Sequence, residues 1–125
     1  MRNEKIDAIL AAAKPRVAAH WASCLKWEPE CGDRVAAHSA VDNFLQRYFE
    51  QLKALPDPAE KSAIMDVLQT LFANLDGTMS EFGGSLLETD ERELLCGPII
   101  AAAEAAGLVL SEFEYGDPTL QYRNF

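Results

Sequence analysis

Residues 89–107, TDERELLCGPIIAAAEAAG, carry the clearest indication of the fold. Thr89 or Asp90 can cap the first turn of a helix, and Asp90 with Glu93 has the spacing of a capping box. Gly107 stands where helices commonly end. Apolar residues recur between these ends on one helical face: Leu94, Leu95, Ile99, Ala102, Ala103 and Ala106. The stretch therefore predicts an amphipathic helix, and its periodicity continues across Gly97-Pro98.

The N-terminal stretch, residues 3–26, has a similar apolar stripe that runs through Pro15. A proline inside a helix removes one backbone donor and clashes with the carbonyl four residues earlier. Two interpretations remain open, one helix kinked at Pro15 or two short helices. The unbroken stripe favours the kinked helix. Residues 27–32 are predicted to form a loop.

Two further helices are predicted in the middle of the chain. Residues 33–55 form the second helix, with a core face of Val41, Phe44, Leu45, Tyr48, Phe49 and Leu52. Asp57 then acts as a cap and Pro58 as the first residue of a third helix that extends to Phe82. A break at Gly77 is the alternative. Met65 and Phe72 lie off the main apolar stripe of this helix, which is compatible with a homodimer.

These segments predict an all-α fold, an antiparallel up-and-down bundle of four long helices. The first and fourth helices are expected to be kinked at Pro15 and Pro98. The 125 residues are enough for a single domain, 1–125, with its own core. Leu120, Tyr122 and Phe125 make the tail too apolar for a free end, so we expect the tail to pack on the bundle.

The charge is unevenly distributed along the chain. The formal net charge is −9, and residues 1–75 are almost balanced. Residues 76–117 instead carry ten acidic residues and one basic residue, Arg92. Such a surface would be repelled by nucleic-acid phosphates and by anionic membranes. The pattern therefore argues against nucleic acid and membrane as partners, and it favours a basic partner, a cation, or a role in solubility alone.

The cellular compartment is predicted from the N-terminus and the cysteines. No apolar run is long enough to span a bilayer, and Asp7 and Lys14 interrupt the N-terminal run, unlike in a signal peptide. We expect a cytoplasmic protein. Three cysteines at unremarkable spacing fit free thiols in a reducing compartment, although a Cys24–Cys31 disulfide stays open.

One set of side chains has the composition of a metal site. His20 and Cys24 lie one helical turn apart, and Cys31 and His38 follow from the loop and the next helix. Four nitrogen and sulfur ligands at one junction between helices would suit zinc. The alternative is that Cys24 packs in the core while the histidines lie near helix surfaces. The spacing contains no C-x-x-C pair of the kind found in zinc motifs.

Catalytic motifs are not found in the sequence. There is no G-x-S-x-G, no G-x-G-x-x-G and no phosphate-binding P-loop motif, so we predict no catalytic residues and no cofactor. The carboxylates Glu88, Asp90, Glu91 and Glu93 have helical spacing that could bind a hard cation. In the first turn of a helix, however, such residues more often complement the helix dipole.

The run GGSLLETDERELLCGPIIAAAEAAG followed by YGDPTLQYRNF resembles small, uncharacterised helical domains of bacteria. Some of these short acidic proteins are similar to the immunity proteins encoded beside secreted toxins. The resemblance covers roughly residues 58–125. It implies a non-catalytic protein that binds a partner, and it brings no catalytic residues.

Two functional hypotheses follow. The first is a non-catalytic protein-interaction domain whose acidic second half binds a basic partner, with exposed aromatic residues as anchors. Its candidate partner-binding residues are Glu88, Asp90, Glu91, Glu93, Glu112, Glu114, Asp117, Trp27, Tyr115 and Tyr122. The second is a metal- or small-molecule-binding bundle that uses His20, Cys24, Cys31 and His38.

Overall fold

The computed structural model of the chain describes residues 1–27, 32–81 and 89–122. These residues contain four α-helices and no strand: α1 (Arg2–Trp27), α2 (Gly32–Ala54), α3 (Lys61–Glu81) and α4 (Thr89–Ala106). Two short 3-10 turns follow, Leu110–Glu112 and Glu114–Gly116. The predicted all-α bundle of four long helices is confirmed.

Side-chain contacts define an antiparallel arrangement of the helices. His20, near the end of α1, contacts Glu91 at the start of α4. Lys53, near the end of α2, contacts Asp7 at the start of α1. The most extensive packing joins α1 to α4 and α2 to α3. One end of the bundle therefore holds the first turn of α4, and the opposite end holds both the N-terminus and residues 107–122.

The start of α1 is fixed to the end of α2. The guanidinium of Arg2 donates to the carbonyl oxygens of Leu55 and Pro56, at 2.6 and 2.8 Å. Arg2 also donates to the carbonyl oxygen of Lys53 at 3.3 Å, in the last turn of α2, where carbonyls lack donors within the helix and a cation is favourable. Lys53 Nζ lies 2.8 Å from Asp7 Oδ1, and its hydrogen bonds to Asp7 and Glu50 raise the pKa of Lys53.

The core lies between all four helices. Its largest fully buried side chains come from each of them: Ile6, Val41, Tyr48, Phe49, Leu52, Ile64, Leu68, Phe72, Leu75, Leu95 and Ile99. The apolar stripes predicted the core positions well. Among the predicted positions, Ile9, Leu10, Phe44, Val67 and Leu94 are half-buried and pack against it.

Both internal prolines lie inside continuous helices. α1 contains Pro15 and α4 contains Pro98, so the alternative of two short N-terminal helices is wrong. Proline has no N–H, so the carbonyls of Ala11 and Leu94 lose the helical donor that would lie four residues later. Tertiary packing of the uninterrupted apolar stripe offsets this loss.

The beginning and the apolar face of α3 differ from the prediction. The first helical backbone bond runs from Ile64 N to Glu60 O, so the helix begins at Lys61 and not at Pro58. Gly77 does not break it, and Phe82 lies outside the described residues. Phe72 is fully buried, so it belongs to the core and not to an outer apolar face.

The end of α4 agrees with the prediction. Gly107 has φ +124°, which a side chain would rarely allow. Leu108 N donates to Ala103 O and Gly107 N donates to Glu104 O, both at 3.0 Å. This pair of bonds is a Schellman motif, and the buried side chain of Leu108 completes it.

Candidate functional site

The acidic residues of the second half lie at two opposite ends of the bundle. Asp90, Glu91 and Glu93 are in the first turns of α4, while Glu104 is near its end. Glu91 and Glu104 are thirteen positions apart, which is about 20 Å along a helix axis. The structure therefore does not bring all the predicted partner-binding residues together. Those whose side chains the structure describes form two separate groups.

The first group adjoins α1. His20 Nε2 lies 3.1 Å from Glu91 Oε2, and the Glu91 side chain is only 12% exposed. Cys24 Sγ lies 3.6 Å from the same His20 nitrogen. Asp90 and Glu93 are exposed. The carboxylate of Glu91 thus joins α1 to α4, while its two acidic neighbours point to solvent.

The Cys24–His20–Glu91 contacts do not form a nucleophilic triad. In such a triad one imidazole nitrogen takes the proton of the nucleophile and the other donates to the carboxylate. Here the thiol and the carboxylate both approach Nε2 of His20. The carboxylate therefore cannot orient the ring while leaving Nε2 to act as a base. The arrangement is suited to packing α1 against α4.

The predicted metal ligands are distributed around Trp21. Its indole stacks on the His38 ring at 4.0 Å and contacts the His20 ring edge-on at 5.6 Å. His38 is 4% exposed, so it lies in the core and not near a helix surface. Within residues 1–27, 32–81 and 89–122, no three His, Cys, Asp or Glu side chains are arranged to hold a metal ion. Cys31 lies outside the described residues, and the four-ligand site stays a prediction.

The second acidic group forms a surface with aromatic residues. We call residues 112–122, together with Lys61 and Met65 of α3, the C-terminal surface. All of these residues except Tyr115, Gly116 and Thr119 border an open groove of about 660 Å³. Phe113 and Tyr122 are half-buried against the core, so the predicted packing of the tail is confirmed for Tyr122. Phe125 lies outside the described residues.

The C-terminal surface is held to α3 through Lys61. Its Nζ lies 3.3 Å from Glu112 Oε2 and 5.1 Å from the centre of the Phe113 ring. Asp117 Oδ1 accepts a hydrogen bond from Thr119 N at 2.8 Å and another from the Thr119 hydroxyl. This Asx turn confirms that Gly116-Asp117-Pro118-Thr119 is turn sequence. Asp117 therefore orders the loop in addition to contributing charge.

Tyr115 is the most exposed aromatic residue among the described side chains. It is 90% exposed and has φ 56° and ψ 19°, the left-handed region that residues other than glycine rarely adopt. Gly116 follows with φ +66°. The two consecutive left-handed residues turn the chain and project the phenol into solvent between Glu114 and Asp117. This is the clearest candidate contact residue of the C-terminal surface.

Sequence reasoning identified part of this surface. Glu112, Glu114, Tyr115, Asp117 and Tyr122 were among the predicted partner-binding residues, and the structure places them close together. Phe113 and Leu120, from the same segment, were not predicted as contact residues. Lys61 and Met65 were not predicted because only the packing of residues 108–122 against α3 brings them there. The side chains of Trp27 and Glu88 lie outside those that the structure describes.

None of the described helices combines the length and the apolar character needed to cross a membrane.

Comparisons with known proteins identify no relative of this chain. No family model, no curated protein and no solved structure matches the chain.

Proposed function

We propose that this protein is a non-catalytic protein-interaction domain that binds a basic partner through its C-terminal surface. The observation that carries the proposal is the exposed Tyr115, held in a left-handed turn between acidic residues. Strained backbone persists where the surrounding structure maintains it, and it is concentrated at functional positions. An exposed aromatic ring on such a turn is suited to anchoring a partner protein.

Charge supports a basic partner. The C-terminal surface contains three carboxylates, Glu112, Glu114 and Asp117, and one cation, Lys61. The protein as a whole carries a formal charge of −9. A negative surface on a negative molecule accelerates encounter with a basic protein and disfavours acidic ones.

Apolar groups near these charges support protein binding over simple solubility. Leu120 is 40% exposed and Val109 is 53% exposed. Phe113 and Tyr122 line the same groove as Leu120 with half-buried rings. Apolar and aromatic groups surrounded by charged residues are the usual composition of an interface, with a desolvated centre and a polar rim.

The opposite acidic group is a weaker candidate because part of it is already used within the protein. Glu91 contacts His20 and is mostly buried. Asp90 and Glu93 are exposed, but Arg92 lies between them in sequence. We therefore assign the partner-binding role to Glu112, Glu114, Tyr115 and Tyr122, with Asp117 as a turn-forming member.

The resemblance to immunity proteins suggests the class of partner. A basic toxin of the nuclease type would have the charge that complements the C-terminal surface. A protein of this kind inhibits by occupying the partner's surface and needs no reaction of its own. We propose immunity-type inhibition as the biological form of the binding.

Affinity capture tests the proposal. The immobilised protein is exposed to a lysate of its own source cells at about 50 mM and about 500 mM salt, and bound proteins are identified by mass spectrometry. We expect a basic protein that is captured at low salt and strongly reduced at high salt. Absence of any captured protein, or capture of a partner that salt does not affect, would contradict the proposal.

A charge-matched pair of variants locates the surface. Glu112→Gln/Glu114→Gln removes two charges from the C-terminal surface, and Asp90→Asn/Glu93→Gln removes two from the opposite end of the bundle. Both variants have the same net charge. We expect the first to lose most of the captured partner and the second to retain it. Equal losses of the captured partner in the two variants would show that binding depends only on the total charge of the protein, and this would contradict the assignment to the C-terminal surface.

A further inference from the structure

A second concave site lies between α1, α2 and α4, away from the C-terminal surface. Its volume is about 360 Å³, which falls within the range of small-molecule pockets. Its floor consists of core side chains from the three helices, among them Val17, Leu45, Phe49 and Leu95. Pockets between the helices of a bundle are a common location for ligands.

Small and rigid residues keep this cleft open. Ala13 and Ala18 of α1 and Pro98 of α4 line it, and none of them has a side chain long enough to fill the space. Ala13 and Pro98 also border the depression on the other side of the α1–α4 contact. The two helices therefore meet through a narrow line of small residues, which leaves an apolar opening beside it.

The mouth of the cleft is polar and contains one cation. Lys14, Asp42, Asn43 and Gln46 line it. Asp42 already accepts a hydrogen bond from the Trp21 indole at 2.9 Å, and Gln46 donates to Glu50 at 3.0 Å. None of the ion pairs between described side chains involves Lys14. The ammonium of Lys14, the amide of Asn43 and the second N–H of the Gln46 amide are thus the donors at the mouth.

We propose that the cleft binds a small amphiphile that has an apolar chain and one carboxylate head group. The apolar chain would lie against Val17, Leu45 and Leu95, and the carboxylate would accept hydrogen bonds from Lys14 and Asn43. Charge-assisted hydrogen bonds to a carboxylate are stronger than neutral ones. Lys14 above the apolar floor favours an anionic head group, whereas Asp42, whose Oδ1 already accepts from the Trp21 indole, opposes one. We expect the direct contact with Lys14 to dominate, so that a carboxylate binds more tightly than a cationic amphiphile of equal length.

Titration with three probes of equal chain length tests the class of ligand. Octanoate, 1-octanol and octylamine are added below their aggregation limits, with calorimetry and backbone amide chemical shifts as readouts. We expect saturable one-to-one binding of octanoate that shifts the amides of Val17, Leu45 and Leu94. We expect roughly tenfold weaker binding of 1-octanol and the weakest binding of octylamine.

Four variants locate the binding. Ala18→Phe fills the cleft, and Ala19→Phe places the same ring on an exposed position that does not line it. We expect the first to weaken octanoate binding at least tenfold and the second to leave it unchanged. Lys14→Gln should reduce octanoate binding to the level of 1-octanol, whereas Lys5→Gln, which removes an exposed charge elsewhere, should not.

Four results would overturn the inference. The first is a lack of saturable octanoate binding by the wild-type protein, and the second is equal binding by Ala18→Phe. The third is octylamine binding as tightly as octanoate, which would exclude a carboxylate site at Lys14. Chemical shifts that change with protein concentration instead of with probe would assign the cleft to contact between two copies of the chain.

Discussion

The phenolic hydroxyl of Tyr48 donates a hydrogen bond to the main-chain carbonyl of Ile99 at 2.7 Å. Tyr48 is 1% exposed and Ile99 is fully buried, so the bond lies in the core. It joins α2 to α4 one residue after Pro98. A buried hydroxyl without a partner would be costly, so this bond also explains why a tyrosine is tolerated there.

Removal of that hydroxyl should destabilise the protein moderately. We expect Tyr48→Phe to lower the free energy of unfolding by about 1 kcal/mol, because one buried hydrogen bond is lost while the ring remains. Tyr115→Phe is the matched control, since its hydroxyl is on an exposed side chain and its change should stay within about 0.5 kcal/mol. Urea denaturation measures both. Equal losses of stability in the two variants would contradict a stabilising contribution from the hydrogen bond of Tyr48.

Burial of Tyr48 should also make the protein sensitive to alkali. Desolvation raises the pKa of Tyr48 well above its usual value of 10.0. The folded state therefore favours the neutral phenol, and its stabilising contribution is complete below the unfolded pKa. It is lost as the pH rises above about 10, where the unfolded chain ionises. We expect Tyr48→Phe to have a shallower decline of stability above pH 10, as followed by urea denaturation at several pH values.

Two glycines should respond to alanine in opposite directions. Gly107 has φ +124°, so Gly107→Ala should strain the end of α4 and cost about 1–2 kcal/mol. Gly77 lies inside α3, and an added Cβ would meet nothing within 4 Å. Gly77→Ala should therefore stabilise the protein by about 0.5–1 kcal/mol. Thermal unfolding measures the two shifts, and a gain at Gly107 would contradict the observed turn.

Phe72 and Met65 distinguish the core-facing side of α3 from its outer side. Phe72 is fully buried and Met65 is half-buried beside the C-terminal surface. We expect Phe72→Ala to cost about 3–5 kcal/mol, because a large cavity forms in the core, and Met65→Ala to cost clearly less. Urea denaturation measures both. The opposite result would be a minor effect of Phe72→Ala on stability, together with conversion of a dimer to a monomer in light scattering. That result would show that Phe72 lies on an outer face of α3 and not in the core.

Much of the fold could be predicted because apolar periodicity reports burial directly. The stripe of α4 and its end at Gly107 were both readable from the sequence. The start of α3 was predicted incorrectly, because Asp57 and Pro58 have the local chemistry of a helix start while the first backbone bond begins at Glu60. The burial of Phe72 depends on packing from neighbouring helices, which the stripe of one helix does not contain.

The candidate site was harder to predict because it depends on contacts between distant residues. Net charge indicated an acidic second half, but charge along the chain does not show that Glu91 and Glu112 lie at opposite ends of the bundle. The exposure of Tyr115 depends on its left-handed turn, for which Gly116 alone was a weak signal. His38 was expected near a surface, and its stacking on Trp21 arises only when α1 and α2 pack together.

A substitution at Tyr115, in the strained turn, should change the stability of the protein and its binding to a partner in different ways. Asparagine adopts the left-handed region more readily than tyrosine does. We expect Tyr115→Asn to keep or slightly raise the free energy of unfolding, by up to about 1 kcal/mol, while it removes the aromatic contact. Chemical denaturation measures the stability. A clear loss of stability would indicate that the ring of Tyr115 supports the fold.

The most direct test of the interaction proposal is the kinetics of binding to the captured partner, measured by surface plasmon resonance at several salt concentrations. We expect Glu112→Gln/Glu114→Gln to slow association and reduce its dependence on salt, because steering by these charges is lost. We expect Tyr115→Asn to speed dissociation at least tenfold with little change in association, as for an anchor residue. Wild-type kinetics in both variants, with a change only in Asp90→Asn/Glu93→Gln, would contradict the account and place the partner at the other end of the bundle.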